Sequence, residues 1–373
     1  MTKNINKKPF DEATKLKLEI FGEWFREWLP VFIHNPFVDK IFIYDFFAGS
    51  GTDSEGTPGS PLILLNEAKG ENCKICNSVG SKQVVFGFNE LLDTKNDQLK
   101  ASIDRYIENC ILQNCKRSEC QYKNHIGKME FKEAFNGERF VEKLKNDRFA
   151  KFILLDQYGF SQVDDNIFKE LINSPKTDFI FFIASSFIKR FKEHANTKKY
   201  IDTSKINFDE CKPKERHRII AEYFKSLIGG KEYYLHHFTI KKNSNHYGLI
   251  FGSSHTLGME KFLKVCWKKD EFSGESNDNS HDDYTKGTLF YDPANSNKKE
   301  AVKGLITEKI LKGEISDNQT GLKYALSQLC LPEIFTQTVV ELEKAGKIKR
   351  LGDVNNTSNG IHKVKKYTIE IIN

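Results

Sequence analysis

Asp45 is followed by Phe46-Phe47-Ala48-Gly49-Ser50-Gly51, an acid near the end of an apolar run and then a turn of small residues. Small residues free backbone N–H groups, allow positive φ and let a ligand come close to the main chain. Ligands of open α/β sheets bind outside the carboxyl ends of the strands. The pattern predicts a cradle for a nucleotide-like ligand, lined by Asp45, Phe47, Gly49 and Gly51. Glu90 closes a second apolar run, Ser81–Asn89, where an acid accepts hydrogen bonds from ribose hydroxyls in such folds. Its distance from Gly51 exceeds the usual ~20 residues, so the segment 67–80 reads as an insertion. The simpler alternatives are an ordinary tight turn and an exposed acid at a helix start. Asp156 and Tyr158 bring a carboxylate and an aromatic ring to the end of a third run, Lys151–Asp156; the alternative there is a strand-end Asp capping the next turn.

A second chemistry is metal binding. Cys73 and Cys76 form a C-x-x-C knuckle, and Cys110, Cys115 and Cys120 follow at five-residue steps, with His125 five further on. Tetrahedral zinc takes four such ligands, so Cys73 and Cys76 with two of the other three cysteines would suffice for a structural site. Reduced thiols are the competing reading. Cys266 and Cys330 lie in apolar contexts and read as buried small hydrophobes. A third cluster is basic and aromatic: Lys189, Arg190, Lys192, Lys198, Lys199, Tyr200, Arg216, His217 and Arg218. It suits phosphate contacts and stacking, and equally a solvated helix face.

These residues need a scaffold. Leu16, Ile20, Phe21, Trp24, Phe25 and Trp28 fall at helical spacings, which predicts a helix over 12–33, with Pro30 marking its end or a kink and the Trp residues in the core. The first strand is predicted over 41–47, and Pro61 opens a helix through Ala68. A helix is expected over 91–109, a third strand over 128–135 and a helix around 137–147. Strands at 151–156 and 177–184 flank a helix over 162–173, the signature of a parallel α/β sheet. Residues 186–245 read as a basic helical insertion, 247–253 as a late strand, and Met259–Trp267 as a helix packed on it. Residues 271–298 read as a linker. Three helices over 299–345 and two strands, 347–351 and 362–371, then resemble a winged helix-turn-helix. In that arrangement 332–345 would be the groove-reading helix, or the module would serve protein contacts.

Several of these stretches together resemble one family. They are the Trp-bearing first helix, Tyr44-Asp45-Phe46-Phe47-Ala48-Gly49-Ser50-Gly51, Glu55-Gly56, Gly59-Ser60-Pro61, Leu155-Asp156-Gln157-Tyr158-Gly159, Tyr247-Gly248-Leu249-Ile250-Phe251 and Lys264-Val265-Cys266-Trp267. The chain is similar over roughly 10–270 to the three-Cys-motif partner proteins (TcmP), a branch of the class I S-adenosylmethionine (SAM) methyltransferase-like fold. The resemblance implies an α/β, Rossmann-like methyltransferase sheet over 1–270, carrying a Cys-rich insertion (67–127) and the basic insertion (186–245), ahead of a winged-helix-like domain (299–373). It implies SAM held by Asp45, Phe47, Gly49, Gly51 and Glu90, and a role in phage defence or mobile-element biology. Asp156-Gln157-Tyr158 also resembles the amino-methyltransferase motif, in which a polar residue followed by Pro-Pro-aromatic orients a base amino group. There Asp156 would accept from the amine and Tyr158 would stack on a flipped base. Gln157 stands where that motif has a proline, and Gly159 follows the aromatic residue. A non-catalytic nucleic-acid or protein-binding component with this fold is the rival expectation.

Composition narrows the setting. The chain has 373 residues, 30 of them Phe, and a formal net charge of +6. That permits DNA or RNA as a partner without demanding it, and a protein partner is also open. No apolar run is long enough to span a membrane, and the start lacks a signal-peptide core, so a cytoplasmic protein is expected. There thiols and metal ligands outnumber disulfides.

Overall fold

The computed structural model describes residues 8–113, 119–157, 159, 161–191, 193–198, 200–209, 211, 215–278, 298–354, 362 and 366–372. Helices α1 (Glu12–Ile33), α2 (Ser60–Lys69), α3 (Lys74–Ser78), α4 (Asp93–Gln113), α5 (Phe131–Asn136), α6 (Glu138–Lys145), α7 (Asp165–Asn173), α8 (Ser185–Arg190), α9 (Ala195–Lys198) and α10 (Arg216–Ser226) accompany one sheet. Its strands are β1 (Lys40–Asp45), β2 (Gln83–Asn89), β3 (Lys123–Gly127), β4 (Phe149–Leu155), β5 (Thr177–Ile183), β6 (Tyr234–Lys242) and β7 (Asn245–Ser253), in the order β3-β2-β1-β4-β5-β7-β6. The first five run parallel to one another, and β7 is antiparallel to both β5 and β6. Central strands such as β4 are buried on both faces, which is why they read as continuous apolar runs. The result is a mostly parallel, Rossmann-like α/β sheet.

The chain forms two compact units, Met1–Ser254 and His255–Asn373. In the first, α1 begins at Asp11, whose side chain accepts from the Thr14 N–H. Its Trp24 ring lies 4.8 Å from that of Phe152, and Trp28 donates its indole N–H to Asp178 at 2.6 Å. Both Trp residues are in the core, as expected. Pro30 does not end the helix, which runs on to Ile33.

Two expectations fail for physical reasons. The third strand lies at Lys123–Gly127, not at 128–135. Phe131 and Phe135 stand four residues apart and are buried together on α5, and Glu130 caps that helix by accepting from the Lys132 and Glu133 N–H groups. The interval 186–245 is not wholly helical either: it contains β6, whose His236, His237 and Thr239 are buried. His217, expected on a basic surface, is fully buried. Its Nδ1 lies 3.0 Å from Thr239 Oγ1. A Cβ added at Gly248 would stand 2.0 Å from the His217 ring, so this glycine lets α10 close on the sheet. Burial, then the charges of His237, His246 and Arg216, push the His217 pKa well below the usual imidazole value. Arg190, Lys198 and Arg218 are exposed as expected, and Lys192 and Lys199 lie outside the described residues.

The second unit holds α11 (Thr256–Lys269), α12 (Lys298–Leu311), α13 (Asn318–Ser327), α14 (Glu333–Lys344) and the antiparallel pair β8 (Ile348–Gly352) and β9 (Tyr367–Ile371). Residues 271–278, expected as linker, wrap the buried Asp270, which accepts from the N–H groups of Phe272, Ser273, Glu275 and Ser276. Cys266 and Cys330 are buried, as expected. On α14, Thr338 is buried, Glu341 pairs with Lys303 and Glu343 with Arg350. Among the described residues no helix is long and apolar enough to cross a membrane.

Candidate active site

The turn after β1 is built from beneath. Asp45 is fully buried; its Oδ2 accepts from Ser60 Oγ at 2.7 Å and its Oδ1 from the Phe47 N–H at 3.1 Å. The carboxyl thereby bolts the glycine turn to the first residue of α2. Burial pushes its pKa up to about 7, with the charge of Asp156 adding to the effect and Ser60, Phe47 and Lys17 opposing it. A carboxyl whose folded pKa is raised is stabilising only at low pH. The fold therefore loses stability from this group as pH climbs from about 4 to about 7. Asp45→Asn, which mimics the protonated form, is expected to melt above the wild type at pH 8 and close to it at pH 4, as read by thermal denaturation at both values.

Gly49 and Gly51 have φ of +66° and +81°, in the left-handed region that glycine tolerates. Gly51 also presses on α4, where an added Cβ would stand 3.0 Å from Ser102 Cβ. Its carbonyl accepts the Gly59 N–H at 2.8 Å. Asp53 closes the next loop by accepting from the N–H groups of Phe10, Glu55 and Thr57. Phe47 is half-buried, its ring 5.2 Å from that of Phe131.

Glu90 follows β2, half-exposed, with one carboxylate oxygen accepting the Leu92 N–H at 2.9 Å. Two asparagines that the sequence did not single out hold this corner. Asn89 donates to the Met129 and Phe46 carbonyls and accepts the Met129 N–H, tying together the ends of β1, β2 and β3. Asn96, on α4, donates to the Glu90 and Gly127 carbonyls. The only sequence signal was for Asn89, a polar residue beside the acid.

Asp156 follows β4, and the parallel register sets it beside the turn after β1. The salt bridge from Lys17 Nζ to Asp156 Oδ2 is 2.5 Å long, with both side chains largely buried. Gln157 is buried and uses both ends of its amide: Nε2 donates to the Phe182 carbonyl at 3.0 Å, and Oε1 accepts from the N–H groups of Gln162 and Val163. The glutamine that replaces a proline therefore braces the loop by hydrogen bonds. Tyr158 lies outside the described residues.

Cys73 and Cys76 are buried beside α4. The thiols of Cys110, Cys120, Cys73 and Cys76 all act electrostatically on the Tyr106 hydroxyl, whose pKa is raised first by burial. Cys76, Tyr106, Cys110, Cys120 and Tyr122 line one small pocket. Among the described residues, however, no group of three or more His, Cys, Asp or Glu is arranged to hold a metal ion, so the metal centre expected of these cysteines is not preassembled. Cys115 lies outside the described residues, and His125 is exposed on β3.

No protein-family model matches the chain, and no curated protein matches it. The resemblance to the three-Cys-motif partner proteins thus rests on the motifs alone. Solved structures similar to it include Trm1 from Pyrococcus horikoshii in complex with S-adenosyl-L-methionine, at 10% identity and TM-score 0.41, covering 96% of this chain and 94% of that one. The O-methyltransferase from Bacillus cereus in complex with SAH is 13% identical, with TM-score 0.33, covering 65% and 91%. The METTL16 MTase domain is 9% identical, with TM-score 0.31, covering 62% of this chain and 66% of that one. Likeness at this level carries no argument about activity, which must come from the residues.

Proposed function

We propose that the chain is a SAM-dependent methyltransferase acting on nucleic acid, with a base amino nitrogen as its target. The observation that carries this is convergence. The positive-φ glycine turn, Glu90 and Asp156 stand at the carboxyl ends of three neighbouring parallel strands, β1, β2 and β4. That edge is where open α/β sheets take their ligands. The fit to SAM is chemical: the turn offers close main-chain approach for the methionine part, and Glu90 offers a carboxylate for the ribose. Bound SAM supplies an electrophilic methyl group; the amine lone pair forms the N–C bond as the S–C bond breaks toward sulfur, and the amine proton leaves to water. Asp156 would align the amine, so the chain's contribution is mostly orientation.

The rival reading, a non-catalytic nucleic-acid or protein-binding component, draws on the departure at Gln157 and Gly159. The hydrogen bonds of Gln157 to Phe182, Gln162 and Val163 favour the enzyme, because they anchor the residue after Asp156 without the prolines. In this reading the second unit is winged-helix-like. The ion-paired acids of α14 favour a protein contact over groove reading, in a cytoplasmic defence or mobile-element setting. Calorimetric titration with SAM tests the first step, and an absence of binding would remove the enzyme reading.

Zinc belongs to the same proposal as a structural element drawing on Cys73 and Cys76 with two of Cys110, Cys115 and Cys120, whose described members the metal would have to draw together. Elemental analysis of protein purified without chelators is expected to give one zinc per chain, and Cys76→Ser to lose it with a lowered melting temperature. A substoichiometric content would remove zinc from the account without touching the SAM site.

A further inference from the structure

We infer that Lys17, Phe182 and Tyr247 form the platform on which the acceptor base is held, a role that rests on the methyltransferase reading. Lys17 breaks a local rule. It lies on the same stripe of α1 as Phe21, Trp24 and Trp28, which are buried against the sheet. A charge on that stripe takes the place of an apolar side chain and must be compensated. The compensation is Asp156, at 2.5 Å, on the loop after β4. Local rules are broken most often at functional sites.

The aromatic part sits beside this pair. The Lys17 ammonium stands 5.1 Å from the centroid of the Phe182 ring, a favourable cation–π distance. Phe182 in turn stacks on Tyr247, with centroids 5.5 Å apart and planes 25° from parallel. Both rings are half-buried, whereas the rings deeper on this face, such as Trp24 and Phe251, are fully buried against each other. The aromatic layer between α1 and the sheet therefore surfaces beside Asp156. The Gln157 amide fixes the spacing by bonding the Phe182 carbonyl.

Chemically the set suits a planar ring bearing an amino group. One Asp156 oxygen is taken by Lys17, and the other has no hydrogen-bond partner among the described residues, which leaves it to accept an amine N–H. Bases stack on exposed aromatic faces without regard to sequence. Single-stranded nucleic acid, or a base extruded from a duplex, satisfies both demands. Lys17 is a positioning residue: it holds the carboxylate in one rotamer and does not itself touch the reacting atoms.

The test uses the full chain with saturating S-adenosylhomocysteine and short single-stranded DNA and RNA oligonucleotides carrying 2-aminopurine. Stacking is expected to quench the probe. Tyr247→Ala and Phe182→Leu are expected to abolish most of the quenching and weaken oligonucleotide binding about tenfold or more, with SAM affinity unchanged. Lys17→Met is expected to lower kcat for methyl transfer, with Lys17→Arg restoring most of it. Melting curves identify any variant that fails to fold, and Tyr247→Leu replaces Tyr247→Ala if that one does. Wild-type quenching and kinetics in folded Tyr247 and Phe182 variants, with SAM bound normally, would overturn the platform and leave the methyltransferase reading standing. Failure of the wild type to bind SAM would overturn that reading instead.

Discussion

Gly51→Ala is expected to weaken SAM binding by at least about tenfold. The residue sits at φ +81°, where a side chain is strained, and a tenfold loss follows if displacing the turn costs bound SAM about 1.4 kcal/mol. The new Cβ would also stand 3.0 Å from Ser102 Cβ and 3.4 Å from Leu99 Cδ1 on α4. Both strains push the turn away from the geometry that presents its N–H groups. Gly56→Ala is the control. It carries the same strain, at φ +83°, but its Cβ would meet nothing within 4 Å on an exposed loop. Its effect on SAM affinity is expected to stay small. Calorimetry on the two variants separates a cradle from a plain turn: equal affinities in both would leave Gly51 with no role in binding.

Asp156→Ala is expected to lower methyl transfer about a hundredfold or more while SAM affinity stays near the wild-type value. Orienting the acceptor is the largest contribution available to a reaction whose leaving group needs no activation. Removing Asp156 also strands the largely buried Lys17 ammonium, and an unpaired buried charge costs stability. Asp156→Asn, with Lys17→Met added to remove that charge, keeps the test clear of folding defects. Single-turnover rates with labelled SAM give the answer. Transfer unchanged in Asp156→Ala would move the acceptor site elsewhere and favour a decayed loop.

The parts of this site that sequence made legible share one property: they are local. β1 and its glycine turn announce themselves because a buried strand is a short apolar run and the turn needs residues that tolerate positive φ. Helix α1 was legible over its whole length from its apolar spacing, although Pro30 suggested a stop that tertiary packing overrides. What stayed hidden depends on contacts far apart in the chain. Lys17 and Asp156 are 139 positions apart, and in sequence Lys17 is one lysine among many on a helix. Asn89 and Asn96 matter only because three strand ends meet at them. Gln157 read as the loss of a proline, and only the fold reveals the hydrogen bonds that do comparable work. The third strand lies earlier than 128–135 because Phe131 and Phe135, four residues apart, bury one face of a helix instead. Strand β6 was missed because His236, His237 and the lysines made a buried strand look basic and exposed.

The pH behaviour of the first unit follows from the same buried groups. Asp45 and Asp178 are held protonated by burial up to about 7 and about 6 respectively, so each penalises the fold as pH rises from about 4 toward those values. His217 acts in the opposite direction: its folded pKa lies below its unfolded one, so it costs stability as pH falls below about 6.5. Only Asp45 touches the glycine turn, which makes it the residue through which proton uptake would be felt at the site.

The most direct test of the central claim is methyl transfer itself. The purified full chain is incubated with methyl-labelled SAM and separate pools of DNA, RNA and protein, and the label is followed into each pool and then into individual bases. The account predicts label in a nucleic-acid pool, recovered as a base methylated on its amino nitrogen, and lost in Gly51→Ala and Asp156→Ala. SAM bound without label entering DNA or RNA would contradict it.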